Sequence, residues 1–272
     1  KALNSLTKDS SKSTLDGNTQ HFYYFKSTAK KNMPLIVQLH SWSYPVDSLK
    51  TMEVDIEAIS KNYNYLFPNF RGVNNHIKAC CSNYVISDID EAIDWAINYM
   101  NVDRNQIYIV GVSGGGYATL AMYMKSRHKI KAFSAWVPIS DLGNWHQESV
   151  ERKNKYAAEI IKCTTETEFF DSLKARYRSP LLWKTPVKKR KNSTIQIFAG
   201  IHDCFTGPVP ISHSVNFYNK LLSDYGISDS LLYVSKKDLD FMLNEQTYNA
   251  PFNLKIGDRT VYYQKKTKNI ML

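Results

Sequence analysis

The sequence predicts an α/β fold: a mostly parallel sheet with helices on both faces, interrupted once by a helical insertion. Three observations predict it. Short β-rich runs alternate with stretches of helical periodicity through the first half of the chain, and the alternation resumes after residue 193. The uncharged run over residues 106–124 is β-branched at its start and glycine-rich in its middle, which reads as a buried strand, a tight turn and a buried helix. Residues 141–192 carry helical segments but no convincing strand. With 272 residues the chain can form one large domain or two small ones, and α/β folds often use this length as one, so residues 1–272 are read as a single domain.

The elements follow in order. Residues 21–26 read as a strand, 34–40 as a stronger one and 65–67 as a short third, with a helix over about 46–62 completing a βαβ unit. Val85, Ile89, Ala92, Ile93, Ala96, Ile97 and Met100 recur at helical spacing, and Asp88, Asp90, Glu91 and Asp94 lie on or near the early turns, where carboxylates favour the helix dipole. A strand at 106–111, a helix at 114–126 and a strand at 132–137 come next. Inside the insertion, Thr165-x-x-Glu168 fits a capping box at a helix start. A strand at 193–199 and a helix at 211–225, ended by Gly226, resume the pattern. The tail holds one more helix and β-like runs at 260–264 and 270–272. Trp95 in its helix and Trp136 in its strand are expected in the core.

Composition excludes several classes. Hydrophobic residues at 43% and aromatics at 13% are too many for a disordered chain. The balance of 35 Lys+Arg against 25 Asp+Glu gives a charge of +10, but it is dispersed over Lys30-Lys31, residues 125–131, 188–191 and 265–266. The run Lys188-Lys189-Arg190-Lys191 is therefore read as a solvated face, and no nucleic-acid partner is expected. The same field would draw in an anionic substrate such as an acidic polysaccharide. Residues 106–124 approach the length of a membrane span, yet four Gly, a Ser and a Thr in their middle argue against one. Cys80, Cys81, Cys163 and Cys204 are too few for a disulfide scaffold and lack zinc-site spacing, so no metal is expected. Cys80 and Cys81 cannot easily bond to each other, though either could reach a distant partner, and the redox state stays open. The chain opens on Lys with no apolar signal segment, which leans towards a processed, secreted or periplasmic protein.

Gly111-Val112-Ser113-Gly114-Gly115 matches G-x-S-x-G, with an apolar strand running into it and a small-residue helix running out. A serine on such a sharp turn is exposed at a helix N-terminus, where free N–H groups and the dipole favour negative charge, so Ser113 is the candidate nucleophile. With this motif in place the sequence resembles the α/β-hydrolases, and within them the catalytic domain of the prolyl oligopeptidase family and its esterase relatives. Leu39-His40-Ser41-Trp42 stands where that fold has its His-Gly oxyanion loop, with Ser41 and Trp42 in place of the usual glycines. Pro68-Asn69-Phe70-Arg71-Gly72 matches the family's Asn-x-Arg-Gly, and Val102-Asp103 leads the elbow strand.

The resemblance implies an α/β-hydrolase fold and a triad in the chain order Ser, Asp, His. Gly200-Ile201-His202-Asp203 resembles the acid loop, making Asp203 the acid; Asp141, the competitor, is better spaced for a helix N-cap. The oxyanion hole would combine the N–H of Gly114 with one from the Ser41–Trp42 loop. Arg71 and Trp145, with Trp42, are expected to line the cleft, Trp145 offering a flat platform for a sugar ring or aromatic acyl group. Of the seven histidines none follows His213, so the base is expected just beyond Leu272, with His202 and His213 as surface or supporting residues and His40 as a holder of the oxyanion loop. The resulting expectation is a serine hydrolase without metal or organic cofactor. Because no repeated β-blade region precedes the domain, it points to an esterase acting on a small-molecule or carbohydrate ester, with the 141–192 insertion as a lid. A prolyl-oligopeptidase-like peptidase and a non-catalytic binding protein are the alternatives, and the oligomeric state is left open.

Overall fold

The computed structural model describes residues 5–48, 53–248 and 254–272. Its strands are β1 (Thr7–Lys12), β2 (Thr19–Phe25), β3 (Met33–Leu39), β4 (Asn64–Pro68), β5 (Val102–Val112), β6 (Ala132–Trp136), β7 (Thr194–Phe198), β8 (Lys255–Ile256), β9 (Arg259–Thr260) and β10 (Ile270–Met271). Its α-helices are α1 (Val54–Ser60), α2 (Asn83–Tyr99), α3 (Gly114–Lys125), α4 (Leu142–Glu151), α5 (Tyr156–Thr164), α6 (Ser172–Tyr177), α7 (Val187–Arg190), α8 (Asp203–Thr206), α9 (Ile211–Asp224) and α10 (Lys236–Glu245). Eight strands form one sheet in the order β1-β2-β4-β3-β5-β6-β7-β10. Pairing is parallel from β4 through β10 and antiparallel at the β1–β2 and β2–β4 contacts. The topology matches the expected α/β-hydrolase architecture.

The centre of the sheet is β3 and β5, where Leu35, Val37, Leu39, Ile107 and Ile109 are buried. Against them lies α3, whose residues from Gly114 to Met124 are all buried, so residues 106–124 divide into strand and core helix. No described helix is long and apolar enough to cross a membrane. Because β5, β6 and β7 are parallel neighbours, the loops that follow them, carrying Ser113, Asp141 and Asp203, leave the sheet along one edge.

Several elements depart from expectation. β1 was not anticipated: its sequence Thr-Lys-Asp-Ser-Ser-Lys is polar and almost wholly exposed, as suits an edge strand paired on one side only. The helix expected over 46–62 is a 3₁₀ turn at Val46–Ser48 and α1, with Glu53 at φ 59° before it; residues 49–52 lie outside the described residues. Thr165 caps no helix start. It ends α5 in extended conformation, and its hydroxyl accepts the N–H of Thr167, while Asp171 caps the next helix, α6. The β-like run at 260–264 contributes only Thr260 to a two-stranded hairpin. Trp95 and Trp136 are half-buried rather than core, Trp136 stacking on Phe198 at 4.1 Å.

Two arginines read as surface or cleft residues are instead structural. Arg190, expected on a solvated basic face, is fully buried and donates to the carbonyls of Met122, Tyr123, Ser126 and His128, satisfying the open C-terminal end of α3. Its neighbours Lys188, Lys189 and Lys191 are exposed as expected. Arg71, expected to line the cleft, is buried, with its guanidinium spread over Asp88 (2.5 Å), Asp16 (2.8 Å) and the Ser13 hydroxyl (2.7 Å). That network joins the turn after β1, the loop after β4 and α2. Asp88 is held nearly solvent-free, and burial pushes its carboxyl upward against the attraction of Arg71. Arg71→Met therefore strands a buried carboxylate and should cost about 3–5 kcal/mol of stability. Urea unfolding checks this, and an unchanged stability with an altered KM would return Arg71 to the cleft.

Candidate active site

β5 ends at Val112, and the backbone turns at Ser113 with φ 57° and ψ −117° before α3 begins. Few residues with a side chain adopt this conformation, and its strain is of the order of 1–3 kcal/mol. Its surroundings hold it there. Ser113 N–H donates to Trp136 O at 2.8 Å, tying the turn to β6. A Cβ on Gly111 would lie 2.3 Å from Gly115 O, on Gly115 2.2 Å from Leu39 O, and on Gly116 2.6 Å from Trp136 O. The elbow threads between the ends of β3 and β6 with no room for a methyl group. Ser113 is half-buried, and its hydroxyl has no hydrogen-bond partner among the described residues.

Two N–H groups converge beside it. Gly114 is the first residue of α3, so its amide has no intrahelical acceptor. A Cβ on Gly114 would fall 2.3 Å from Trp42 N, which itself donates to nothing among the described residues. Trp42 is therefore the residue of its loop that stands against Gly114, while Ser41 turns its carbonyl to His40. The His40 ring has Nδ1 2.9 Å from Ser41 O and Nε2 2.6 Å from Asn69 O, and it stacks on Phe70 at 3.8 Å and 5°. Burial pushes its pKa below the ordinary histidine value, against the pull of both carbonyls. His40 holds the loop in place and has no free nitrogen to offer as a base.

Asp203 follows β7 and opens α8. Its Oδ2 accepts Gly200 N–H at 2.6 Å, and a Cβ on Gly200 would come within 3.0 Å of the same carboxylate, a tight contact. Burial pushes the carboxyl above its ordinary value, opposed by that N–H and by the nearby Arg259 and His202. Its Oδ1 accepts no hydrogen bond among the described residues, which leaves it able to orient a base. Asp141 is committed elsewhere: it caps α4 by accepting from Gly143 N (2.8 Å) and Asn144 N (3.3 Å).

The histidines divide clearly. His202 is exposed, near Gln246 at 3.3 Å. His213, expected at the surface or in support, is buried: Ser140 N–H donates to its Nδ1 at 3.1 Å, which leaves the proton on Nε2 to donate to Glu148 at 3.1 Å. It locks the root of the insertion. No described histidine is bonded to Ser113 Oγ or to Asp203 Oδ1. β10 runs parallel to β7 with Met271 opposite Gln196, two positions short of the Phe198 end from which the Asp203 loop departs.

Trp42 and Trp145 do not form a cleft wall. Both are fully buried and meet edge to face at 4.7 Å, with Tyr156 against both. Trp145 Nε1 donates to Pro208 O at 2.9 Å, so this cluster joins the insertion to the segment following Asp203. A tryptophan is too large to be left unburied when a neighbouring aromatic cluster can take it, and Trp145 lies on the buried stripe of α4 with Leu142 and Ser149.

Two contacts of the site were not foreseen. Cys80 is bonded to Cys163, which fastens α5 to the loop before α2, and Glu159 accepts the Trp42 indole N–H at 2.8 Å. With sequence separations of 83 and 117 residues, neither pair leaves a local signal. Cys81 is a buried free thiol, pushed up to about 12 by burial; the side chain of Cys204 lies outside the described residues.

A serine at a strained strand-to-helix turn, two amides beside it and a carboxylate after a later parallel strand define the α/β-hydrolase class. The family model of the prolyl oligopeptidase family (Peptidase_S9) matches residues 51–238, and the chain belongs to that family. Among solved structures it is similar to the Pyrococcus horikoshii acylaminoacyl peptidase (TM-score 0.62, 22% identity, 81% of this chain and 35% of that one). It is also similar to a puromycin-hydrolyzing peptidase of Mycobacterium tuberculosis (TM-score 0.60, 19% identity, 80% and 34%). A third similar structure is prolyl oligopeptidase B of Galerina marginata (TM-score 0.61, 16% identity, 89% and 34%). The chain thus spans about a third of the length of these proteins. No curated protein matches the sequence.

Two expectations follow. Ser113→Gly and Ser113→Ala should both lose the nucleophile, but the glycine relieves the strained φ and should be about 1 kcal/mol the more stable in urea unfolding. Trp145→Ala should cost about 3–5 kcal/mol by emptying a packed site. Measured thermal stability would fall with it, whereas an unaltered stability would contradict the buried placement.

Proposed function

We propose that this chain carries the catalytic unit of a serine peptidase that forms an acyl-enzyme on Ser113. The observation that carries the reading is the unpartnered Ser113 hydroxyl on its strained turn, and the nearness of Trp42 N to Gly114 supports the amides of these two residues as the oxyanion donors. In the reaction, Ser113 Oγ attacks the acyl carbon and its proton passes to a base. The carbonyl electrons move onto an oxygen that accepts from the two amides, and the amine leaves with the proton returned by that base. Water then repeats the sequence in reverse and frees the acid. Asp203, with Oδ1 open, orients the base.

Peptide substrates are supported better than esters by the family and by the peptidases among the similar structures. The carbohydrate reading loses its main support because Trp145 is buried and offers no face to a sugar ring. The 141–192 insertion remains the segment proposed to select substrate, since its root at Ser140–Asp141 and its return at β7 flank the site. The Cys80–Cys163 disulfide supports an oxidising compartment, consistent with a secreted or periplasmic setting.

The test is labelling with a fluorophosphonate, followed by rate measurements on aminoacyl amides, blocked peptides and acetyl and feruloyl esters. Ser113 should be labelled, Ser113→Ala should not, and amides should be cleaved. Cleavage of esters alone would restore the esterase reading, and no labelling at all would favour a binding protein.

A further inference from the structure

Resting on the reading above, we infer that α5 of the insertion is a positioning device for the oxyanion loop, with Glu159 as its principal residue. Three side chains one turn apart, Lys155 at the N-terminal cap of α5 and Glu159 and Cys163 within it, all reach the loop or its support. Glu159 Oε2 accepts the Trp42 indole N–H at 2.8 Å. Lys155 Nζ donates to Ser43 Oγ at 2.8 Å and pairs with Glu159 Oε1 at 3.0 Å, so the next loop residue is held by the same ion pair. Cys163 is bonded to Cys80; Cys80 N–H donates to Asn74 Oδ1 at 2.8 Å, and Asn74 N–H donates to Trp42 O at 3.0 Å.

These links form a closed circuit: Trp42 indole, Glu159, one turn of helix, Cys163, Cys80, Asn74 and back to the Trp42 carbonyl. Trp42 is thereby gripped at its side chain and at its carbonyl, and its ring is packed against Trp145 and Tyr156, so the direction of its N–H is set from the insertion. An oxyanion donor works over a narrow range of distance, and losing one reduces kcat by about 10²–10³. The glycines usual in this loop would have no side chain by which to be held. Here Trp42 has one, and the insertion uses it. Any substrate that moves α5 would then move the donor, which couples the cap to the chemistry.

The test compares Glu159→Ala, Glu159→Gln and Trp42→Phe in the full enzyme. Glu159→Ala should lower kcat on an amide substrate by about 10- to 100-fold, a partial loss of one oxyanion donor, with KM little changed. Its fluorophosphonate labelling should slow in parallel, because the phosphonyl oxygen uses the same hole. Glu159→Gln keeps an acceptor for the indole and should recover most of the rate. In a Trp42→Phe background, where the indole N–H is gone, Glu159→Ala should lower kcat much less than it does in wild type, the remainder being the loss of the Lys155 pair that holds Ser43. A Glu159→Ala enzyme with unchanged kcat and labelling rate, while wild type labels on Ser113, overturns this inference alone. So does additive loss in the Trp42→Phe background. A wild type that is never labelled overturns the proposed function, and this inference with it.

Discussion

The backbone at Ser113 is the constraint on which the rest of the structure depends. A side-chain-bearing residue at φ 57° and ψ −117° persists only if its neighbours forbid relaxation, and they do so by contact. β3 passes so close that Gly115 meets Leu39 O, β6 so close that Gly116 meets Trp136 O, and the Trp42 loop so close that Gly114 meets its amide. The sheet order follows from the same requirement. β5 must lie between β3 and β6 for both contacts to form, and it does. Hydroxyl, helix amides and the neighbouring loop are thus brought together by one turn.

Around that turn the structure is stabilised by groups far apart in sequence. Phe70 and Arg71 both have positive φ, at 31° and 79°, and the buried Arg71–Asp88–Asp16 network holds them there. Phe70 then stacks on His40, and His40 touches both Asn69 O and Ser41 O. A buried ion pair adds little net stability, since desolvation offsets attraction, but it penalises any arrangement that leaves one partner alone. Here it imposes the loop geometry on which the His40–Trp42 loop rests. Arg190 does the same for α3 by satisfying carbonyls at the end opposite Ser113.

The insertion is joined to the body by aromatic packing, by the Cys80–Cys163 bond, and by Arg178, which donates to the carbonyls of Ile77 and Ala79. Its buried tryptophan reaches the segment after Asp203 through Pro208, and its α5 reaches Trp42 through Glu159. One compact helical unit therefore touches both sides of the site. Other residues of the insertion, Phe169, Leu173 and Tyr177, are exposed.

The sequence by itself determined the central architecture and the place of the Ser113 turn within it. β3, β5, β6 and β7 are legible because their apolar, β-branched runs suit the interior of a parallel sheet, and α2 from its periodic apolar face. Ser113 was legible because the glycines around it are a steric demand written at fixed spacing, and Asp141 as a cap because that pairing spans only a few residues. Tertiary structure alone decided the fate of the long side chains. Trp145 and Arg71 carry no local mark that separates a cleft residue from a buried anchor, since that depends on which partner, 103 residues away for Trp42 or 17 for Asp88, arrives to cover them. The polar edge strand β1, the Cys80–Cys163 bond and the Glu159–Trp42 contact were invisible for the same reason. Each is set by the meeting of distant segments, and periodicity records only a chain's preference for its own neighbours.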